Sequence, residues 1–194
     1  MNKEESSMKR TAFGGANIEN GVYIVLKDGS HKSLTEPVTY RKSEIAFVGL
    51  AHDGHTFGVH LCGSKGRFPL INTPGHTAPK DDLCFENEWD ALMEWDFVKH
   101  TRHIQEIGTD IPLEEGEYLP TLACLMVMFH YQEQLNETLE FVGGKPIDFG
   151  SIFWSCLRYS RFCAWDAIGG GGFFSGGYMY GSCAAVPLSL WNPA

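Results

Sequence analysis

The first third of the chain shows apolar runs typical of short strands. Residues 22–26 are apolar and are followed by Asp28 and Gly29, which predicts a strand that runs into a turn. Residues 45–50 and 56–62 form two further runs with Asp53 and Gly54 between them, and an Asp-Gly pair in this position predicts a β-hairpin. Residues 63–83 are rich in Gly and Pro, so we expect a long loop there.

Helical periodicity begins near residue 88. One helix is predicted over residues 88–107, with Gly108 as its stop, because these residues fall near one face: Trp89, Leu92, Met93, Phe97 and Ile104. Leu119-Pro120 opens a second helical stretch. That stretch is apolar on most sides and should be buried, through Leu122, Leu125, Met126, Met128 and Phe129. Residues 135–142 predict another short helix, ended by Gly143 and Gly144.

The amino-acid composition of the chain changes at residue 146. The 49 residues from 146 to 194 contain no Lys, Glu, Gln, His or Thr, and their charged residues are Asp148, Arg158, Arg161 and Asp166. An average composition would place roughly a dozen charges in this length. The segment is instead rich in Gly, Ser and aromatic residues, which is the mixture that recognition loops use.

Three interpretations of this segment compete: a buried β-rich segment, a low-complexity tail, and a binding surface. Interspersed Arg and Ser and the Gly169–Gly172 run disfavour the first, and the spaced tryptophans disfavour the second. The genetic code favours the third interpretation, a binding surface. Randomising the first two bases of an Asn codon yields a set of residues without Lys, Glu, Gln, Met or Trp. Every residue in 156–185 belongs to that set except Trp165 and Met179.

The last third of the chain resembles a known family. The matching residues are Tyr118 to Thr121 at a helix start, Leu135 to Gly144, Phe153-Trp154-Ser155, Tyr159, Ala164-Trp165, Gly172 and Val186-Pro187. At these spacings, residues 118–190 resemble the variable proteins of diversity-generating retroelements, which occur in phages and bacteria. In that family, a reverse transcriptase miscopies adenines of a template repeat into the 3′ end of the target gene.

The resemblance implies an α+β, C-type-lectin-like fold with two main helices and small antiparallel sheets. We expect residues 1–18 to form a flexible arm and residues 19–194 a single domain, with the variable region at about 154–185. The implied framework residues are Trp154, Tyr159, Ala164, Trp165 and Gly172. Met179, Gly169 and the Ala185-Val186-Pro187 ending depart from the family pattern, which affects the expected strand register. Stability is expected to rest on Trp89, Leu92, Leu122, Leu125, Phe129, Leu139, Trp154 and Trp165.

The resemblance also implies a variable face of solvent-directed side chains that contact ligand. The residues carried onto that face are Leu157, Arg158, Ser160, Arg161, Phe162, Cys163, Asp166, Ile168, Gly170, Gly171, Phe173, Ser175, Gly176, Gly177, Tyr178, Tyr180, Gly181, Ser182 and Cys183.

The charge and the hydropathy of the chain limit the kinds of partner that we expect. A formal net charge of −9 disfavours nucleic acid and anionic membranes. No run approaches the roughly 18 apolar residues of a membrane span, so we expect no membrane insertion. Residues 1–10 are polar and do not fit a secretory leader. The cysteines show neither a CxxC pair nor zinc spacing, and we expect reduced thiols at Cys62, Cys84, Cys124, Cys156, Cys163 and Cys183.

The spacing of the histidines, cysteines and acidic residues gives little support to a metal site. His52 and His55 flank the predicted turn, and with His60 and Cys62 they are expected to be turn and surface side chains rather than ligands. His100 and His103 lie on a charged helix and are expected to be solvated. The tail lacks the acidic oxygens that calcium requires. We therefore expect no metal and no cofactor.

Catalysis is also disfavoured. Cys156 and Cys163 invite comparison with the formylglycine-generating oxidases, which resemble the implied fold, but no neighbouring His or Lys is placed to lower a thiol pKa. No Ser-His-Asp arrangement or phosphate loop stands out.

The sequence thus predicts a binding protein rather than an enzyme: a phage tail-associated adhesin, at the virion or a cell surface, for an unknown protein or glycan on bacteria. The alternatives are an enzymatic relative of those oxidases, or a structural component of a pilus tip or fibre that self-associates or docks.

Overall fold

A computed structural model describes residues 18–34, 40–71, 83–169, 173–179 and 181–193. The strands within these ranges are β1 (Gly21–Leu26), β2 (His31–Ser33), β3 (Ile45–His52), β4 (His55–Val59), β5 (Arg67–Pro69), β6 (Ile152–Arg158), β7 (Cys163–Ile168), β8 (Phe173–Tyr178), β9 (Ser182–Ala184) and β10 (Leu188–Leu190). The helices are α1 (Glu88–Leu92), α2 (Phe97–Ile107), α3 (Leu122–His130) and α4 (Gln132–Val142), with a 3-10 helix at Lys42–Glu44. The expected α+β class is confirmed, with four α-helices in the described residues instead of two main ones.

Some predicted features lie outside the described residues. They are the arm up to residue 17, residues 72–82 of the predicted loop, and Gly170, Gly171, Gly172 and Tyr180.

Two five-stranded sheets organise the chain. The first sheet has the order β10-β4-β3-β1-β2 and is antiparallel. The second sheet has the order β5-β9-β6-β7-β8 and is antiparallel except where β6 runs parallel to β9. The last strand therefore returns to the sheet that contains the first one.

The predicted hairpin at Asp53-Gly54 is confirmed. Asp53 has φ 49° and Gly54 has φ 81°, and two successive positive φ angles define the turn that matches the twist of paired strands. His52 and His55 face each other directly beyond it. The predicted strand over residues 56–62 is shorter in the structure, because β4 ends at Val59.

The two helices after residue 120 also follow the prediction. Thr121 caps α3, since its hydroxyl oxygen accepts a hydrogen bond from the Cys124 N–H at 3.3 Å. Most of α3 is buried, as its apolar composition indicated, although Met126 is partly exposed. α4 ends at Gly143, which takes the left-handed conformation with φ 83°.

The single helix predicted over residues 88–107 is wrong. The chain breaks between α1 and α2 because Asp96 caps α2, its carboxylate accepting from the Lys99 N–H at 3.0 Å. As a result α1 turns its large apolar side chains outward: Trp89 is 75% and Met93 74% exposed. The expectation that Trp89 stabilises the core is therefore wrong, and Leu92 is only partly buried. The other predicted core residues are buried: Leu122, Leu125, Phe129, Leu139, Trp154 and Trp165.

Trp191 fixes the end of the chain to the first sheet. Its indole is buried against Gly49 in β3, where a Cβ would lie 2.6 Å from Cζ3 of the ring. The Thr56 hydroxyl donates to the Trp191 carbonyl oxygen at 2.6 Å. β10 also pairs with β4, and its Leu188 exchanges backbone hydrogen bonds with Tyr118. The position of Trp191 thus depends on the absence of a side chain at Gly49.

We predict that Trp191→Ala lowers the free energy of unfolding by about 3–5 kcal/mol, because it leaves a cavity against Gly49. Trp89→Ala is the matched control and should change that free energy by less than about 0.5 kcal/mol, because its ring is solvated. Urea denaturation of the full chain measures both. Equal destabilisation by the two substitutions would contradict the placement of these tryptophans.

Candidate ligand-binding surface

The second sheet carries most of the implied variable residues. Eight of them are exposed, and we call this set the tail face: Arg161, Phe162, Ile168, Ser175, Gly176, Tyr178, Gly181 and Ser182. Three more are partly buried: Ser160, Cys163 and Gly177. Gly170, Gly171 and Tyr180 lie outside the described residues, and the side chain of Phe173 is not described.

Four implied variable residues are buried, contrary to the expectation that the set points to solvent. They are Leu157, Arg158, Asp166 and Cys183. β6 is a central strand, between β9 and β7, and α2 packs against it, so Leu157 and Arg158 are covered. Arg158 donates a hydrogen bond to the Cys84 sulfur at 3.0 Å. The resemblance alone did not separate these positions from the exposed ones.

Asp166 and Cys183 are covered from within the second sheet. The Ser175 hydroxyl donates to Asp166 at 2.5 Å, and a Cβ at Gly177 would overlap the same carboxylate. Burial raises the pKa of Asp166 above its usual value. Burial likewise raises the pKa of the Cys183 thiol to about 11. Gly177 thus serves the packing of Asp166 and is not free to vary in size.

Two buried tryptophans hold the sheet beneath the tail face. The Trp154 indole N–H donates to the Phe68 carbonyl oxygen at 2.8 Å, and the Trp165 indole N–H donates to the Phe85 carbonyl oxygen at 2.8 Å. Ala164, beside Trp165, is fully buried. These three implied framework residues therefore lie in the framework; Trp154 links β6 to β5 within the sheet, and Trp165 joins the sheet to the segment before α1.

Tyr159 lies between framework and surface. It was expected in the framework, and it is 38% exposed. Its ring stands edge-on to Trp165, with centroids 5.1 Å apart, and a Cβ at Gly176 would come within 3.1 Å of it. Glycine at residue 176 leaves the Tyr159 ring open on the surface.

The tail face exposes large aromatic side chains. Tyr178 is 71% and Phe162 47% exposed. Cys163, next to Phe162 in the chain, pairs with Tyr178, and the Met179 N–H donates to the Phe162 carbonyl oxygen at 3.1 Å. The two aromatics are thus held on neighbouring backbone. A cleft of about 230 Å³ adjoins Phe162, lined by Cys84, Glu86, Ser160, Arg161 and Phe162.

The histidines that the structure describes lie against different neighbours. His55 stacks on Trp95 at 3.9 Å between ring centroids, and His52 lies against Tyr131. In the part of the chain that the structure describes, no group of three His, Cys, Asp or Glu side chains is placed to hold a metal ion. The expectation of a solvated His100 is wrong: it is buried and contacts Glu94 at 3.3 Å, and this contact lowers the pKa of Glu94. His103 is partly buried.

One of the two thiols considered for oxidase chemistry lies in the core. All six cysteines are free, and Cys156 is buried. Burial raises the pKa of the Cys156 thiol well above its usual value, which disfavours the reactive thiolate.

The structure brings His60, which the sequence offered only as a possible metal ligand, together with Ser189 and Glu117, which the sequence did not single out. Ser189, His60 and Glu117 contact one another in that order, where β10, the end of β4 and the loop before α3 meet. Ser189 and His60 are 129 residues apart, so no local motif links them.

Comparisons of the chain with protein-family models, with curated proteins and with solved structures find no match. Among the described residues, no helix combines the length and the apolarity that crossing a membrane requires.

Proposed function

We propose that the chain is a hypervariable ligand-binding protein with a C-type-lectin-like fold, and that the tail face contacts the ligand. The observation that carries the proposal is the exposure of Phe162, directly before β7, and of Tyr178, at the end of β8, on a sheet anchored by the buried Trp154 and Trp165. Exposed aromatics gain nothing from burial in the folded monomer, whereas they supply much of the contact energy in interfaces. Their presence beside buried anchors supports selection for contact.

The composition of the tail face supports the same function. Tyr and Phe provide contact area at low entropy cost, while Ser and Gly provide adaptable hydrogen bonds and room. Ser182, Gly181 and Gly176 are exposed small residues of the same face. The surface acts by binding rather than by catalysis.

The C-type-lectin-like fold is supported by how the chain closes. β10 returns to the sheet of β1, so the variable region is bounded on both sides by packed structure. Such a frame permits many side chains on the tail face without loss of the core. The natural setting for this protein is a phage tail, where the ligand is a protein or a glycan of the bacterial surface.

A second candidate function rests on α1. Trp89 and Met93 together present an apolar surface there, away from the core. Such a surface favours docking to a fibre or to another structural component.

We predict that the 3′ end of the gene has a near-copy close by in the same DNA, differing from it chiefly at adenines. The codons of Phe162, Tyr178 and Ser182 should be among those that differ, whereas the codon of Trp165 should not. Sequencing the DNA that flanks the gene provides the check. If the flanking DNA contains no such copy, the proposal that adenine-directed mutagenesis diversifies the gene is wrong.

We also predict that Tyr178→Ala and Phe162→Ala each weaken cell binding about 10-fold or more, as for central aromatics of interfaces. The measurement is flow cytometry of the labelled full chain on a panel of intact bacteria. Protease or periodate treatment of the cells distinguishes a protein from a glycan ligand.

Phe141→Ala is the matched control, because Phe141 is 58% exposed on α4 and lies outside the tail face. It should leave binding unchanged. If Tyr178→Ala and Phe162→Ala bind cells as well as the unsubstituted chain, or if the unsubstituted chain binds no cell type, the tail face is not the contact surface.

A further inference from the structure

The side chains of Ser189, His60 and Glu117 contact one another in that order. The Ser189 hydroxyl oxygen is 2.6 Å from His60 Nε2, and His60 Nδ1 is 3.4 Å from Glu117 Oε1. Ser189 is on β10, His60 directly follows β4, and Glu117 precedes α3. Pairing of β10 with β4 brings the first two side chains together.

Glu117 is held so that one oxygen faces the histidine. Its carboxylate is buried, and Oε2 is bound by the Lys65 ammonium and by the Glu114 backbone N–H at 2.6 Å. Oε1 is left facing His60 Nδ1. A carboxylate there favours the tautomer that carries its proton on Nδ1, which leaves the Nε2 lone pair toward the Ser189 hydroxyl.

His60 and Glu117 line an open cleft of about 760 Å³, and Ser189 lies next to it against His60. Its lining includes His60, Leu61, Cys62, Lys65, Leu113 and Lys145. The side chain of His60 is 26% exposed and Ser189 is partly exposed, so both are reachable from solvent. The lining combines apolar and charged groups, which suits a small polar compound with an apolar acyl group.

We propose that Ser189, His60 and Glu117 form an acyl-transfer site that hydrolyses small carboxylic esters. A hydroxyl nucleophile, a base within hydrogen-bond reach and an acid that orients the base are the groups this chemistry requires. Ser189 is the nucleophile, His60 the base and Glu117 the positioning residue. The Lys145 ammonium contributes positive charge to the cleft, which favours the oxyanion.

The steps balance without any further reagent except water. His60 Nε2 takes the Ser189 proton as Oγ bonds to the acyl carbon, and the ester C–O bond breaks. The alkoxide takes the proton from His60 and leaves as the alcohol. Water then gives a proton to His60 and its oxygen to the acyl carbon, and the acyl–Ser189 bond breaks. Ser189 regains its proton, and the carboxylic acid leaves.

Cys62, which lines the cleft, is the competing thiol nucleophile. Burial and the nearby Glu117 carboxylate raise the pKa of its thiol, so little thiolate exists at neutral pH. Ser189 is therefore the better candidate. The site lies on the first sheet and the proposed ligand-binding surface on the second, so neither proposal depends on the other.

The test uses the folded full chain with a fluorophosphonate probe and with 4-nitrophenyl butyrate. Mass spectrometry of the labelled protein should place the phosphonate on Ser189. Ser189→Ala should abolish labelling and ester turnover, and His60→Ala should lower kcat/KM about 10²–10⁴-fold. Ser64→Ala removes a hydroxyl that lines this cleft and should leave both unchanged.

The pH profile gives an independent readout. Burial lowers the pKa of His60 below its usual 6.5, although Glu117 and Glu114 raise it and Lys65 adds to the lowering. Because the base acts in its neutral form, kcat/KM should rise with pH and reach half its plateau below pH 6.5. A wild-type chain that is not labelled at Ser189, or Ser189→Ala turnover equal to wild type, overturns the proposal and leaves the cluster a structural one.

Discussion

The fold depends on attaching a glycine-rich, nearly uncharged segment to a framework at several buried points. Trp154 and Trp165 donate indole hydrogen bonds to carbonyl oxygens before α1, and Trp191 packs against Gly49 at the far end. Each point joins residues distant in sequence, so each restrains a long part of the chain. Without them, the segment has too many glycines and too few local signals to hold one conformation.

This attachment explains how one segment contains both buried and exposed aromatics. The tryptophans fill the framework, while Tyr178 and Phe162 stand on backbone that the framework holds. An exposed apolar side chain on a rigid strand loses little entropy when it meets a ligand, so its contacts count toward affinity. The same rigidity makes the buried positions intolerant: at Gly177, any side chain would displace the Asp166 carboxylate.

Local signals in the sequence predicted much of the local structure, although the Asp96 cap that separates α1 from α2 was missed. The hairpin at Asp53-Gly54 and the ends of α2 and α4 depend on turn and cap chemistry within a few residues. Long-range packing was not accessible in that way. Trp89 matches the helical period but belongs to a separate helix that faces solvent, and Leu157 lies on a strand covered on both faces, where no alternation marks the exposed side. The Ser189–His60 contact follows only from the pairing of β10 with β4.

The central claim is that the tail face is selected for contact and not for packing. The most direct measurement compares unfolding free energies of two multiple variants. One changes Phe162, Ile168, Tyr178 and Ser182 to Asn, and the other changes the buried Leu157 and Cys183 to Asn. We predict that the free energy of unfolding falls by less than about 1 kcal/mol in the first variant and by more than about 3 kcal/mol in the second. Comparable losses, or a first variant that fails to fold, would contradict it.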